Sequence, residues 1–482
     1  MNFFTKSLWI DEWYSNLTSL IISKKWIPLY DSGYWDGSYL FFHYLQAFIF
    51  KIFWYSPEIS RILPFIFWIL SLIFIYKISK IVFNNKVVAY STIFITFFSY
   101  YYIVAITQAR YYSVMIFLFF TSLYFILKFY KNPNIKSFFI SINIIFFSII
   151  FHVYLYCLLP IFLLSLLFLF FQKNCYKKIQ EFFKNNYKFI FLAFINFIIF
   201  YTIMKFVNPW QSISSINQVI SLANLDYTEW YIRFFIHNYA LLFIITFLWI
   251  FISVFLKKFK EIYILLFSFW FPFFVISKYV FMYATRYVYF LIPLVVILWI
   301  WIIYILCENI KSRYLKFTMF FMFLFFSIFW IKFNFDFQKI PSMNDIYAPE
   351  PNFSWAYKSI LQDTSNKLDQ VNIVSSFPHM DYLYLWKSDY YIYIDETWIW
   401  IKPEDNFYIK NWKNIFTNAQ TIFSVEDLKK YEWNKKTYII LEQVSLNRLR
   451  NTDILKYIKD NYKIIFRDQK DYNIIEVYKN HE

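Results

Sequence analysis

Hydrophobic runs of about twenty residues recur between positions 62 and 332, separated by short polar joints. They fall at 62–81, 87–106, 112–130, 137–152, 154–171, 188–206, 238–256, 261–280, 287–307 and 314–332. Nearly all are long enough to cross a hydrocarbon core of roughly 30 Å as an α-helix. A shorter apolar stretch, 38–54, contains His43, Gln46 and Lys51. It reads as a helix lying in the membrane interface rather than through it. After residue 332 the pattern changes: charge density rises and apolar runs shorten. VNIVSSF (371–377), TYIILEQV (437–444), YKIIFRD (462–468) and YNIIEVYK (472–479) read as strands. The last two, joined through QKD, predict a hairpin, and VEDLKKYEW predicts a helix. The expected fold class is a polytopic α-helical membrane protein of about ten spans, with a small α/β or α+β domain at its C-terminus. The expected division is 1–61 as a loop with interfacial helices, 62–332 as the helical membrane domain, and 333–482 as the soluble domain.

Lysines orient the spans. One set of joints carries Lys77, Lys80 and Lys86; Lys128, Lys131 and Lys136; Lys173, Lys177 and Lys178; and Lys257, Lys258 and Lys260. The opposite set carries little more than Arg110, Arg233, Lys278 and Arg286. The positive-inside rule places the lysine-rich joints in the cytoplasm. Residues 1–61, the 207–237 loop and the C-terminal domain are then expected outside a cytoplasmic membrane.

Composition agrees. The chain has 482 residues, 60% hydrophobic and 27% aromatic, with a net charge of +16. That charge follows helix ends, so a nucleic-acid partner is not implied. Cys157, Cys175 and Cys307 lie far apart beside apolar helices, with no CxxC, and read as small core residues. No GxxxxGK[ST], HExxH or GxSxG occurs.

Candidate chemistry gathers at the helix ends on the expected outer side. Asp11 and Glu12, in SLWIDEWYS, are adjacent carboxylates ahead of the interfacial stretch. They can be a helix cap, or one can take a proton while the other holds a metal or orients a substrate. Adjacent helical positions point about 100° apart, so they cannot share one role. Arg110, in QARYY, can hold a phosphate, pair with a carboxylate or snorkel to headgroups. His152 is the one histidine within the spans, either a satisfied core histidine or a functional group. Arg286, in TRYVYFLIP, and nearby Lys278 are further anion-binding candidates. Asp226 and Glu229 read as solvated loop residues.

These blocks resemble the dolichyl-phosphate-mannose–protein mannosyltransferase family of GT-C glycosyltransferases, which includes bacterial aminoarabinose transferases. SLWIDEWYS resembles the family's Asp-Glu motif. IPLYDSGYWDGSYLFFHYLQAFIFKIFWYSPEISRILPFIF resembles the stretch that runs into the next helix, ending in Glu and Arg-x-x-Pro. ITQARYYS and RYVYFLIP are similar to two later helix junctions. The resemblance covers roughly residues 7–310. It implies transfer of a sugar from a polyprenyl-phosphate donor to an acceptor hydroxyl, with inversion, on the outer face. It further implies Asp11 as base, Glu12 as support or metal ligand, and Arg110, His152 and Arg286 in phosphate, substrate or metal binding. A divalent metal is the one cofactor implied. The partners implied are the lipid-linked donor, a lipid, glycan or protein acceptor, and the bilayer. The competing functional classes are a lipid-linked glycan flippase and a non-catalytic membrane assembly component.

Two departures from the family pattern carry expectations of their own. Family members have a transmembrane helix ahead of the Asp-Glu loop, whereas ten residues precede Asp11 here, so a helix is expected upstream of Met1. The chain also holds 2 glycines and 19 tryptophans, where average usage predicts roughly 34 glycines. Trp54 and Trp68 stand where the family often has Gly, and Trp433 sits in a turn-like context. The expectation is that some tryptophan codons, Trp13 among them, are read as glycine in the source genome; genuine tryptophan is the alternative.

Overall fold

The computed structural model describes residues 10–31, 33, 35–36, 39–170, 184–207, 226–239, 243–244, 260–279, 285–308, 310–328, 353–365, 367–376, 378–385, 387–393, 409–410, 413–414, 417–432, 435–442, 453–470 and 473–480. Helices α1 (Ile10–Lys25) and α2 (Leu40–Phe53) precede α3 (Ile62–Phe83). Then come α4 (Lys86–Phe98), α5 (Tyr100–Thr107), α6 (Tyr112–Lys131), α7 (Ile135–Phe151) and α8 (Leu158–Phe170). Further helices cover Tyr187–Val207, Lys260–Tyr279, Ile292–Glu308 and Arg313–Ile328. Among the described residues, four helical stretches have the length and composition to span a bilayer: Ile59–Phe83, Tyr112–Lys131, Glu261–Lys278 and Thr285–Glu308. The chain is a multi-pass membrane protein. Most of the expected span 238–256 lies outside the described residues.

One expected span is corrected. The run 87–106 is two helices, because Ser99 is extended (φ −65°, ψ 123°). Its hydroxyl shares a 2.8 Å hydrogen bond with that of Tyr239. A buried cross-helix partner compensates the break in the helical ladder. The stretch expected to lie in the interface is α2, with two distinct faces. Phe42, His43, Gln46, Ala47 and Phe50 are buried; Phe41, Tyr44, Phe48, Ile52 and Phe53 are exposed. The 3.6-residue period separates the two faces.

All four expected strand segments are strands, in one eight-stranded sheet. β1 (Val371–Ser375), β2 (Tyr390–Ile392) and β3 (Ile409–Lys410) are followed by β4 (Lys413–Asn414) and β5 (Gln420–Ile422). β6 (Lys436–Glu442), β7 (Tyr462–Lys470) and β8 (Asn473–Asn480) complete it, in the order β3-β4-β5-β2-β1-β6-β8-β7. β1 runs parallel to β2 and β6, whereas β7 and β8 form the expected antiparallel hairpin. All five residues of β1 are buried, as a central parallel strand covered on both faces requires. The alternation assigns the faces. Val371, Ile373, Tyr438, Ile440, Ile475 and Val477 enter one core. Val374, Ile439, Leu441 and Tyr478 enter the other, with Leu428 and Ile458 from the helices that cover it.

The first of these cores also contains Leu17, Leu20 and Ile21 of α1, Phe50 of α2, and Ala109 from the α5–α6 joint. One apolar cluster therefore ties the sheet to the N-terminal segment and to one end of the helical bundle. Helix Pro378–Leu385 lies against α1 there. Within it Asp381 is fully buried and accepts from the Tyr357 hydroxyl at 2.9 Å and the Ser388 hydroxyl at 3.2 Å. Burial pushes its carboxyl up to about 8, against the hydroxyl hydrogen bonds that favour the charged form.

Among the described residues, six non-glycine residues have positive φ, and two are tryptophans: Trp26 (φ 64°) and Trp54 (φ 63°). Trp26 directly follows α1, and its N–H bonds Ile22 O at 2.8 Å. Trp54 directly follows α2 (ψ 159°) and is 84% exposed. Such helix-ending positions favour Gly, or Asn as at Asn84 after α3. Trp68 differs: it is buried against Phe97 and Tyr102. Trp433 and the side chain of Trp13 lie outside the described residues.

Three outcomes are expected. Trp26→Gly and Trp54→Gly should each stabilise the protein by about 1 kcal/mol in thermal unfolding, because Gly adopts positive φ without the Cβ penalty. Peptide mass spectrometry of protein from the native host should find Gly at both positions; Trp at both sinks the recoding hypothesis. For Asp381, a folded pKa raised above the unfolded value of about 3.9 means stability present at low pH and lost as pH rises toward about 8. Asp381→Asn should remove that component. The melting temperature of the wild type should fall relative to the variant between about pH 5 and pH 9, and parallel curves would refute the assignment.

Candidate active site

α1 begins with the acidic pair. The side chain of Asp11 lies outside the described residues, although its backbone is in the first turn of α1. Glu12 is 2% exposed. Its Oε1 accepts from the backbone N–H of Ala109, and its Oε2 faces an Arg61 guanidinium nitrogen at 3.6 Å. Arg61 ends the 3₁₀ turn Ile59–Arg61 and is equally buried. Ala109 belongs to the Gln108–Tyr111 break between α5 and α6, where backbone N–H groups lack helical acceptors. A carboxylate on one helix thus satisfies the interruption in another.

A second polar seam fixes α1 against α2. Asn16 donates to Glu12 O at 2.7 Å. Gln46 donates to Asn16 Oδ1 at 3.3 Å and to Ser60 O at 3.1 Å. Ser19 donates to Gln46 Oε1 at 2.6 Å. Beyond it, Thr18 donates to Asp36 Oδ2 at 2.6 Å and shares a 2.6 Å hydrogen bond with Tyr30.

Arg110 and His152 come together. Tyr39, at the start of α2, stacks on Tyr111 with centroids 3.9 Å apart and on His152 at 5.5 Å. His152 also meets Tyr111 at 4.8 Å and Tyr154 at 4.6 Å. The Arg110 guanidinium lies 5.1 Å from the Tyr111 ring and within electrostatic reach of His152 and His43. Arg286 connects through aromatic contacts: it lies 5.5 Å from the Tyr287 ring, and Tyr287 packs edge-on against Tyr154. His152 Nδ1 accepts from the backbone N–H of Tyr154 at 3.1 Å. That bond fixes the tautomer of a neutral imidazole, leaving the proton on Nε2.

Lys278 stands apart. It forms an ion pair with Asp226, and both are substantially exposed. The Lys278 hydrogen bond, helped by Thr228, holds the Asp226 carboxyl down at about 2. Glu229 pairs with Arg233 on the surface. Among the described residues, no three His, Cys, Asp or Glu side chains gather into a metal site. Glu12 already faces an amide and a guanidinium, and His152 presents a protonated Nε2, so these two side chains do not fit as a ligand pair in this arrangement.

Asp36, Tyr39, His43, Arg61 and Tyr111 belong to this region, and residue chemistry alone did not single them out. Arg61 and Asp36 lay inside the quoted family-like block, and that was their sequence signal. His43 was visible as a polar residue in an apolar run. The tyrosines had no signal in a chain with 44 of them.

No protein-family profile matches the chain, and no curated protein matches it at significance. Solved structures do match. ArnT from Cupriavidus metallidurans bound to undecaprenyl phosphate aligns with a TM-score of 0.63 at 9% identity, covering 98% of this chain and 94% of that one. The same protein in its apo state aligns with a TM-score of 0.61 over the same shares.

Removing one partner of the buried pair should be costly. Glu12→Ala and Arg61→Ala should each lower stability by about 3–5 kcal/mol, because each leaves an uncompensated buried charge. The double variant should cost clearly less than the sum, as read by thermal unfolding in lipid nanodiscs. Additive losses would show that the pair does not couple. Over nearly its whole length the chain carries the fold of ArnT, the GT-C fold.

Proposed function

We propose that the protein is a membrane glycosyltransferase that moves a sugar from a polyprenyl-phosphate donor to an acceptor hydroxyl on the outer face of the cytoplasmic membrane. The observation that carries this reading is the buried Glu12–Arg61–Ala109 contact, which holds the turn bearing Asp11 at the helix break bearing Arg110. The undecaprenyl phosphate bound by the ArnT neighbour supports a polyprenyl-phosphate donor. The shared core of α1 and the sheet supports placing the N-terminal segment and C-terminal residues on one side of the membrane, and the lysine distribution makes that side the outside.

Asp11 is the general base. It takes the proton of the acceptor hydroxyl as that oxygen attacks the anomeric carbon, and the bond from that carbon to the phosphate oxygen breaks with inversion. A phosphate leaving group needs no general acid. Arg110 and Arg286 stabilise the charge that collects on it, as preorganised cations in a water-poor site do. Glu12 acts as a positioning residue through Arg61 and Ala109. Lys278, tied to Asp226 at the surface, takes no part. No metal enters the scheme, and the sugar and the acceptor are left open.

The flippase alternative requires polar groups or broken helices near mid-bilayer. Here the described candidates gather at the end of the bundle that meets α1, which favours chemistry at the surface. Asp11→Asn should abolish sugar transfer from a polyprenyl-phosphate donor in nanodiscs while leaving the melting temperature within a degree or two of wild type. Transfer at the wild-type rate by a folded Asp11→Asn protein would refute the base assignment.

A further inference from the structure

Three polar side chains around Arg110 are almost completely buried and incompletely hydrogen-bonded. His43 is 2% exposed, Gln108 1% and His152 1%. Both ring nitrogens of His43, both amide atoms of Gln108 and Nε2 of His152 find no partner among the described residues. Each buried polar group left unsatisfied costs on the order of 1–3 kcal/mol, and native proteins leave few of them. Five such atoms in one neighbourhood are therefore a feature to account for. The neighbourhood itself is fixed by geometry. Tyr39 stacks on Tyr111 and His152, its carbonyl accepts from the His43 backbone N–H at 3.1 Å, and Gln108 and Arg110 lie with Tyr111 on the same α5–α6 break.

The chemistry of the five atoms is mixed. An imidazole offers one donor and one acceptor when neutral, a carboxamide offers both kinds, and His152 offers a donor at Nε2 because Nδ1 is taken. A phosphate would use only donors. A set that can give and accept matches vicinal hydroxyls, each of which does both. We propose that His43, Gln108 and His152 form the subsite that holds the hydroxyls of the lipid-linked sugar, beside the guanidinium that faces its phosphate. This deepens the transferase reading and rests on it. The subsite selects for the sugar; the phosphate is held by separate groups.

Because the side chains of His43 and Gln108 hydrogen-bond no described residue, apolar replacements of similar shape there should not harm the fold. That separates a ligand-binding role from a structural one. The experiment measures binding of two probes to the full chain in nanodiscs: undecaprenyl phosphate, and a panel of undecaprenyl-phosphate hexoses and pentoses. The wild type should bind at least one sugar-bearing lipid more tightly than undecaprenyl phosphate. His43→Phe and Gln108→Leu should each weaken that sugar-bearing lipid about tenfold, the worth of a hydrogen bond or two. Both should leave undecaprenyl phosphate within about twofold and keep a melting temperature at or above wild type. His43→Gln, which keeps donor and acceptor, should recover part of the loss. Equal weakening of both probes, or a lowered melting temperature with no selective loss, overturns the sugar subsite while leaving the transferase reading in place. A wild type that binds undecaprenyl phosphate but prefers no sugar-bearing lipid also overturns the subsite alone. Failure of the wild type to bind any of these lipids overturns the transferase reading and the subsite together.

Discussion

The buried contact of Glu12 with Arg61 and Ala109 holds one end of the helical bundle to the N-terminal segment. Desolvating a carboxylate and a guanidinium costs several kcal/mol per ion, and attraction plus hydrogen bonding must offset it. An apolar pair would hold two helices as firmly. What an apolar pair cannot do is accept a hydrogen bond from the backbone at the α5–α6 break, where the helical ladder stops and Ala109 N–H needs an acceptor. The charge of Glu12 answers that need, and Arg61 answers the charge. The three elements are thereby set to one another at fixed register, and Asp11 and Arg110, each adjacent in sequence to a member of the contact, inherit that register.

α1 is the joint through which the rest of the molecule feels this constraint. Its sixteen residues serve three neighbours. Leu17, Leu20 and Ile21 enter the core beneath the sheet. Asn16 and Ser19 bond α2 through Gln46. Glu12 reaches the bundle. Removing the sheet would expose the apolar face of α1 and weaken the element that positions the acidic pair. The C-terminal residues thus have a structural bearing on the site whether or not any of them meets a substrate.

What the sequence makes legible follows from the range of the forces involved. Apolar runs near residues 62–81 and 112–130 reappear as helices because bilayer thickness and helix rise are local constraints. The strands at 371–375, 436–442, 462–470 and 473–480 reappear because side-chain alternation and the pairing of chain neighbours are local too. The break at Ser99 does not show in the sequence, since serine is tolerated inside helices and the partner of its hydroxyl, Tyr239, lies far along the chain. Arg61 and Gln46 likewise take their meaning from partners that spacing cannot reveal. Lys278 likewise has a neighbour that spacing does not reveal, Asp226. Trp54 was legible through family-like context, whereas Trp26 became notable only once its backbone was seen in the left-handed region.

The same end of the molecule holds two kinds of buried polar group, and the difference between them is informative. In the Asn16–Ser19–Gln46–Ser60 seam, donors meet acceptors within the protein, and every named side chain has a described partner. That is how polar groups are buried when their role is to fix structure. Around Arg110 an amide and two imidazoles are buried as deeply but left incomplete. Burial cannot distinguish the two sets. Satisfaction does. A fold that completes one network and leaves its neighbour open carries an avoidable cost there, beside the cation and the aromatic stack to which the acidic turn is tied.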